Sequence, residues 1–405
     1  MRAPPGLSPL RTDRSAVALR PGPTRQPRLG DAAPGGPQDE GGRGRSTGEA
    51  RTATRSVDPA LVVAFVAALA IAGFALARHA MWFDELQAWN IARVSRSLPD
   101  LFQHLRYEGH PAAWYLVLYG VTRVTGDPRV MQGVELLIVA ATFAVVLCAA
   151  PFSRPLRIAL LAGYTISFEY GVITRAYGLG VLALVVTLAL LGRPRPAWGW
   201  ALLGVTVLAW TSLAGAVLAL AIAGAAGWAA SARRGPRRRP RPGRAPVVFV
   251  VGTGVAAIGA AASCIPPADF HAFTPSVASV ATLGSTGWTR LLTAATGTWR
   301  GLVPIPSRFG AWNSQFLDGI PGAAWVEAAL SIVLIGVVAV ELRRHRAAQV
   351  LWLVGSVGYL GFFAVVVLPD QARYAGATFL LFLACAWWAF APPGGVDLSL
   401  IHISE

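Results

Sequence analysis

The chain has 405 residues, 54% of them hydrophobic and only 14% charged, with a mean hydropathy of +0.52. Soluble domains carry nearly twice that share of charge, so the composition excludes one and indicates a polytopic membrane protein. The net charge of +15 is carried by arginine alone, clustered in the N-terminal region and in short blocks between apolar runs, which excludes a nucleic-acid-binding face.

Residues 1–57 are rich in Pro, Gly, Arg and Ser and poor in aromatics. Such a segment buries too little apolar surface to fold, and the expectation is a disordered cytoplasmic tail that touches anionic lipid. Residues 60–77 are long and apolar enough to span, as an uncleaved signal anchor with its arginine-rich side inside. The stretch Met81-Trp82-Phe83-Asp84-Glu85-Leu86-Gln87-Ala88-Trp89 then emerges outside and opens a first outer loop, 79–127. Adjacent carboxylates at a membrane surface are costly, which makes them functional candidates.

Residues 111–122 are apolar but too short for a crossing, which takes roughly 20 residues. If they do not cross, the blocks at 154–157, 193–195, 233–239 and 343–346 all fall on the cytoplasmic side; if they do, all four move outside. The stretch is therefore expected to be a re-entrant or interfacial helix. The further spans expected are 130–150, 158–173, 176–191, 198–213, 214–231, 247–265, 323–341, 349–368 and 374–391, about ten in all within a transmembrane domain over 58–391. A large outer loop, 266–322, holds Trp288, Trp299 and Trp312, which suit either an interfacial belt or a sugar ring. The tail 392–405 ends in Val396–Glu405, which resembles a translated sequencing adapter, so no function is read from His402. Cys148, Cys264 and Cys385 lack the spacing of a zinc site or a disulfide framework, and no acid cluster has the spacing of a carboxylate cage; no metal and no cofactor is expected.

On this topology the polar residues at outer membrane ends are Asp84 and Glu85, Glu108 and His110, Glu169, Arg175 and Tyr177, and Asp370, Arg373 and Tyr374. A carboxylate can take a proton from an acceptor hydroxyl, and arginines can hold a departing phosphate bidentately. Sugar transfer from a lipid phosphate needs both, because its leaving group is anionic.

Asp84-Glu85 after the first span, followed by Glu108-Gly109-His110-Pro111, resembles the GT-C superfamily of membrane glycosyltransferases. The nearest branch is that of protein O-mannosyltransferases and lipid A aminoarabinose transferases, the family 39-like enzymes. Alanine follows Pro111 where the family has a second proline. Glu169-Tyr170 through Arg175-Ala176-Tyr177 resembles the family's outer turn between its third and fourth spans. Arg373-Tyr374 resembles its late element near the donor phosphate, and Arg300 to Asn313 a loop of bacterial members. The resemblance implies an all-α GT-C bundle with a juxtamembrane helix in the first outer loop, in a bacterial plasma membrane with an extracytoplasmic site. The implied donor is a polyprenyl-phosphate sugar, mannose or pentose-like, and the acceptor is a protein, lipid or polysaccharide.

The expected catalytic residues are Asp84, as base, and Glu85. The expected donor phosphate-binding residues are Arg175, Arg373 and Tyr374, and the expected substrate-binding residues are His110, Glu169 and Tyr177. Structural alternatives stand beside them: Asp84 as a helix N-cap, Arg175 as the partner of a buried Glu169, and Arg373 as a snorkelling side chain. The rival function is a multi-pass transporter or flippase, which places ionisable residues at the bilayer midplane instead.

Overall fold

The computed structural model describes residues 58–232, 243–268, 285–308 and 314–391. The expected tail 1–57, the basic block 233–239, Trp312 and the tail 392–405 lie outside the described residues. Among those described, every regular element is helical.

Helix α1 spans Pro59–Arg78, and its start is set locally. Asp58 accepts the Ala60 amide at 2.9 Å, and Pro59 occupies the first helical position, where no amide is needed. Three short helices follow: α2 (Phe83–Val94), α3 (Leu98–Leu105) and α4 (Ala113–Thr122). With the start of the next helix they build a small core that includes Ala88, Trp89, Leu101, Trp114, Leu118 and Met131. This packing holds one face of α2 and leaves its acidic first turn at the edge.

The main bundle comprises α5 (Val130–Ala149), α6 (Arg154–Leu161), α7 (Ala176–Leu191), α8 (Trp198–Thr211), α9 (Leu213–Ala232) and α10 (Arg244–Ser263). It continues with α11 (Ser285–Ala295), α12 (Gly297–Leu302), α13 (Ala323–Glu341), α14 (Arg346–Val365) and α15 (Ala372–Phe390). Phe143, Leu184, Leu208, Ile222, Trp352 and Trp387 belong to its continuous buried core.

Among the described residues seven helices are long and apolar enough to cross a membrane: α1, α5, α9, α10, α13 with its closing turn, α14 and α15. That is the build of a polytopic membrane protein. α7 and α8 are apolar but shorter, at 16 and 14 residues. The 111–122 stretch does form a short helix; the 10 residues of α4 cover about 15 Å, half a hydrocarbon core of about 30 Å. The expected span 158–173 differs. It divides into α6, an extended break at Gly163, a π-helical turn Tyr164–Glu169 and irregular chain up to Arg175. Arg154 and Arg157 precede it and the buried Glu169 interrupts it, so the uncharged run 158–168 between them is too short to span as one helix.

Helix α12 beds against α15 through its glycines. A Cβ on Gly301 would lie 2.0 Å from the Thr378 hydroxyl oxygen and 2.2 Å from the Ala375 carbonyl oxygen. The Thr378 hydroxyl donates to the Gly297 carbonyl at 3.1 Å across the same contact. Gly301→Ala is therefore expected to destabilise the folded protein by about 1–3 kcal/mol, the usual range for overpacking. Gly336→Ala, where a Cβ meets nothing within 4 Å, is the control and should be neutral or slightly stabilising. Thermal unfolding in detergent checks this, and equal effects at the two sites would contradict the packing argument.

Candidate functional site

The first turn of α2 carries two acids with different fates. Glu85 is fully buried, and both of its oxygens are occupied. Oε2 meets His79 Nε2 at 2.8 Å and accepts the Trp82 amide at 2.9 Å. Oε1 accepts the Thr174 amide at 2.7 Å and its hydroxyl at 2.6 Å. Burial alone would raise this carboxyl above its ordinary 4.5; the hydrogen bonds from His79, Thr174 and Trp82 outweigh it and hold the value lower. Glu85 thus ties α2 to the residue preceding Arg175, and it has no free lone pair aimed at a substrate.

Asp84 is half-buried and does not act as an N-cap; that position belongs to Trp82. Its Oδ2 accepts from Arg373 Nη1 at 3.2 Å, and its Oδ1 takes no hydrogen bond among the described residues. Its backbone carbonyl accepts from Arg175 Nη1. One residue therefore touches both expected phosphate ligands. The Arg373 guanidinium lies between two rings, 4.7 Å from the Trp82 centroid and 4.9 Å from that of Tyr374. Each such contact contributes about 0.5–2 kcal/mol and, more usefully, fixes the plane of the guanidinium. Its Nε is buried without a hydrogen-bond partner.

His110 completes the cluster. Nδ1 lies 2.9 Å from the Glu108 carbonyl oxygen, which accepts only, so Nδ1 carries the proton. Nε2 is then a lone pair facing Arg175 Nη2 at 3.4 Å. Burial, with the Arg175 charge beside it, pushes His110 down to about 4, and the ring is neutral at pH 7.

Arg175, Arg373, Tyr374, Tyr177 and His110 all line one cavity of about 610 Å³. Much of the remaining wall is apolar, including Leu208, Leu218, Phe362, Val366 and Leu380. Arg175 is the N-cap of α7, and Arg373 lies in the first turn of α15; neither helix start has a side-chain cap. Two uncapped helix N-termini and two guanidinium groups on one cavity make an environment for an anion. Tyr177 stacks on Tyr170 at 5.0 Å between centroids, and the Tyr170 hydroxyl donates to the Arg373 carbonyl at 2.6 Å.

Of the expected site residues, Asp84, His110, Arg175, Tyr177, Arg373 and Tyr374 come together. Asp84 does not line the cavity and reaches it through Arg373. Glu169 is set apart. It is fully buried in the π-helical turn and accepts the Tyr164 hydroxyl at 2.9 Å, while Arg175 donates elsewhere. Glu108 lines the cavity and is held by Gln87 and, at 3.2 Å, by the Tyr115 hydroxyl.

Two residues were passed over in the sequence. Arg290 of α11 also lines the cavity; its Nε donates to the Ala364 carbonyl at 3.0 Å, and no carboxylate pairs with it among the described residues. Glu135 lies within α5, fully buried, with neither oxygen hydrogen-bonded among the described residues. It fills the space beside Gly178, where a Cβ would stand 1.8 Å from its Oε1. A lone acid in the apolar run Val134–Val145 was the available signal for Glu135. Among the described residues no group of three or more His, Cys, Asp or Glu side chains is arranged to hold a metal ion.

Glu85→Ala strands the Thr174 and Trp82 amides, each worth about 1–3 kcal/mol when buried without a partner. The variant should lose several degrees of thermal stability, and an unchanged unfolding temperature would refute the clamp. Acidification should act in two windows. The folded value of about 4 for His110 lies below its ordinary 6.5, so stability is intact above pH 6.5 and falls between 6.5 and 4. The Glu85 value lies below 4.5, so its contribution holds above pH 4.5 and is lost as pH drops through the folded value. A series of unfolding temperatures against pH should show His110→Gln flattening the upper window; a retained slope there would contradict the assignment.

No protein-family model, characterised protein or solved structure matches this chain.

Proposed function

We propose that the protein is a membrane glycosyltransferase of the GT-C type, moving a sugar from a polyprenyl-phosphate donor to an acceptor on the extracytoplasmic side. One observation carries the reading. Arg175 and Arg373, each at an uncapped helix start, line a single cavity with largely apolar walls, and the Asp84 carboxylate is bound to one of them. A lipid phosphate presents the complementary pair of features, an anionic head on an apolar chain. On this reading α4 is the juxtamembrane helix of the first outer loop, and α7, α8 and the broken 158–173 segment complete a bundle of about ten passes.

The chemistry is a single displacement. Oδ1 of Asp84 takes the proton of an acceptor hydroxyl while the acceptor oxygen forms a bond to the sugar C1. The C1–O bond to phosphate breaks, and its electron pair leaves on the phosphate, held by Arg175 and Arg373. Configuration at C1 inverts, since no enzyme nucleophile intervenes. The neutral His110, with Nε2 turned to Arg175, orients that guanidinium and adds no competing charge. Glu85 serves as a positioning group through Thr174 rather than as a second catalytic acid.

Transport is the second reading, and one observation favours it: Glu135, a carboxyl without a hydrogen-bond partner inside a membrane-length helix. The two readings separate cleanly. Purified protein given labelled polyprenyl-phosphate sugars and a panel of acceptors should release polyprenyl phosphate. Asp84→Asn should slow that release by about 10²–10⁴-fold, the range for loss of a general base. Near-full transfer by Asp84→Asn would remove it as the base, and vectorial movement of the lipid without sugar transfer would favour the transporter.

A further inference from the structure

Helix α12 carries Arg300, a residue outside the cavity that links two carboxylates to the turn that presents Arg373. Its Nε donates to Glu327 Oε2 at 2.8 Å, and its Nη2 reaches Glu327 Oε1 at 3.3 Å. Glu327 sits in the first turns of α13 and is fully buried. The same Nη2 meets Asp318 Oδ1 at 2.7 Å. The remaining arm, Nη1, donates to the backbone carbonyl of Asp370 at 3.3 Å, three residues before Arg373.

The helix that bears Arg300 is itself fixed against both sides of that turn. A Cβ on Gly297 would meet the Phe363 ring at 2.7 Å and Pro369 at 3.3 Å, and one on Gly301 would meet Ala375 and Thr378 of α15. The Trp299 amide is held by the Ser331 hydroxyl of α13 at 2.9 Å. A guanidinium bound bidentately to a buried carboxylate has little freedom to move. The Asp370 carbonyl therefore hangs from a rigid support.

We propose that Arg300 is a positioning residue for the anion site: it anchors the Asp370 turn to Glu327 and so sets where Arg373 stands between Trp82 and Tyr374. The proposal rests on the reading of that cavity as a lipid-phosphate site. It assigns a functional purpose to residues 297–308 and 314–327, none of which lines the cavity among the described residues. A group held to within about half an ångström by its supports loses much of its effect when a support is removed.

The test is a binding cycle in nanodiscs with unglycosylated polyprenyl monophosphate as the probe. Arg300→Gln alone leaves Glu327 buried and unpaired, so the informative variant is Arg300→Gln with Glu327→Gln, which keeps the pair neutral. That variant should bind the probe about tenfold more weakly than wild type. In an Arg373→Ala background the same pair of changes should have less than about a twofold effect, because the residue through which they act is gone. Restoring a cation with Arg300→Lys, Glu327 intact, should recover only part of the affinity, since lysine cannot hold Glu327 and the Asp370 carbonyl together. Unchanged binding in the neutral pair, or an equal loss with and without Arg373, would overturn the proposal. Wild-type protein that retains none of the probe would sink the lipid-phosphate reading itself.

Discussion

The Asp84–Arg373 ion pair is the contact on which the candidate site depends. It joins the start of α2, near the beginning of the described chain, to the start of α15, its last helix. An exposed pair of this kind contributes little to stability on its own. Here the guanidinium lies against the Trp82 and Tyr374 rings and is nearly excluded from solvent, so its freedom to move is restricted. The Asp84 carbonyl receives Arg175 as well, which brings Arg175 and Arg373 of the cavity to one residue.

Each arginine is placed by a buried carboxylate that never reaches the cavity. Glu85 holds Thr174, the neighbour of Arg175, and Glu327 holds Arg300, which holds the Asp370 turn before Arg373. Buried acids are expensive to desolvate and strongly destabilising when left alone, so each is surrounded by donors. The arrangement separates two tasks. The buried acids fix backbone, and the cavity keeps guanidinium charge available, with Arg175 and Arg290 lacking a carboxylate partner among the described residues.

Much of this was legible in the sequence, and the failures have physical causes. Length and charge parity set 111–122 apart from the expected spans, and the stretch forms a helix of 10 residues. The polar residues flanking apolar runs did converge for Asp84, His110, Arg175, Tyr177, Arg373 and Tyr374. Adjacent acids in a helix, however, point about 100° apart, and only the fold decides which one faces inward. Asp84 and Glu85 are therefore indistinguishable by pattern, although one is half-exposed and the other saturated with hydrogen bonds. The broken path of 158–173 was not legible, because hydropathy averages over a break at Gly163 that depends on local geometry. Arg290 had no local signal, and Arg300 was marked only by the likeness of its loop, since their partners at Ala364, Glu327 and Asp370 are remote in sequence.

On the lipid-phosphate reading the cavity suits an anion on an apolar chain, not an apolar chain alone. Comparing polyprenyl phosphate with the corresponding uncharged polyprenol on the same purified protein isolates that difference. The phosphate should bind at least about tenfold more tightly, as expected for a charge-assisted contact, with the preference lost in Arg373→Ala. Equal affinity for the two lipids would contradict it.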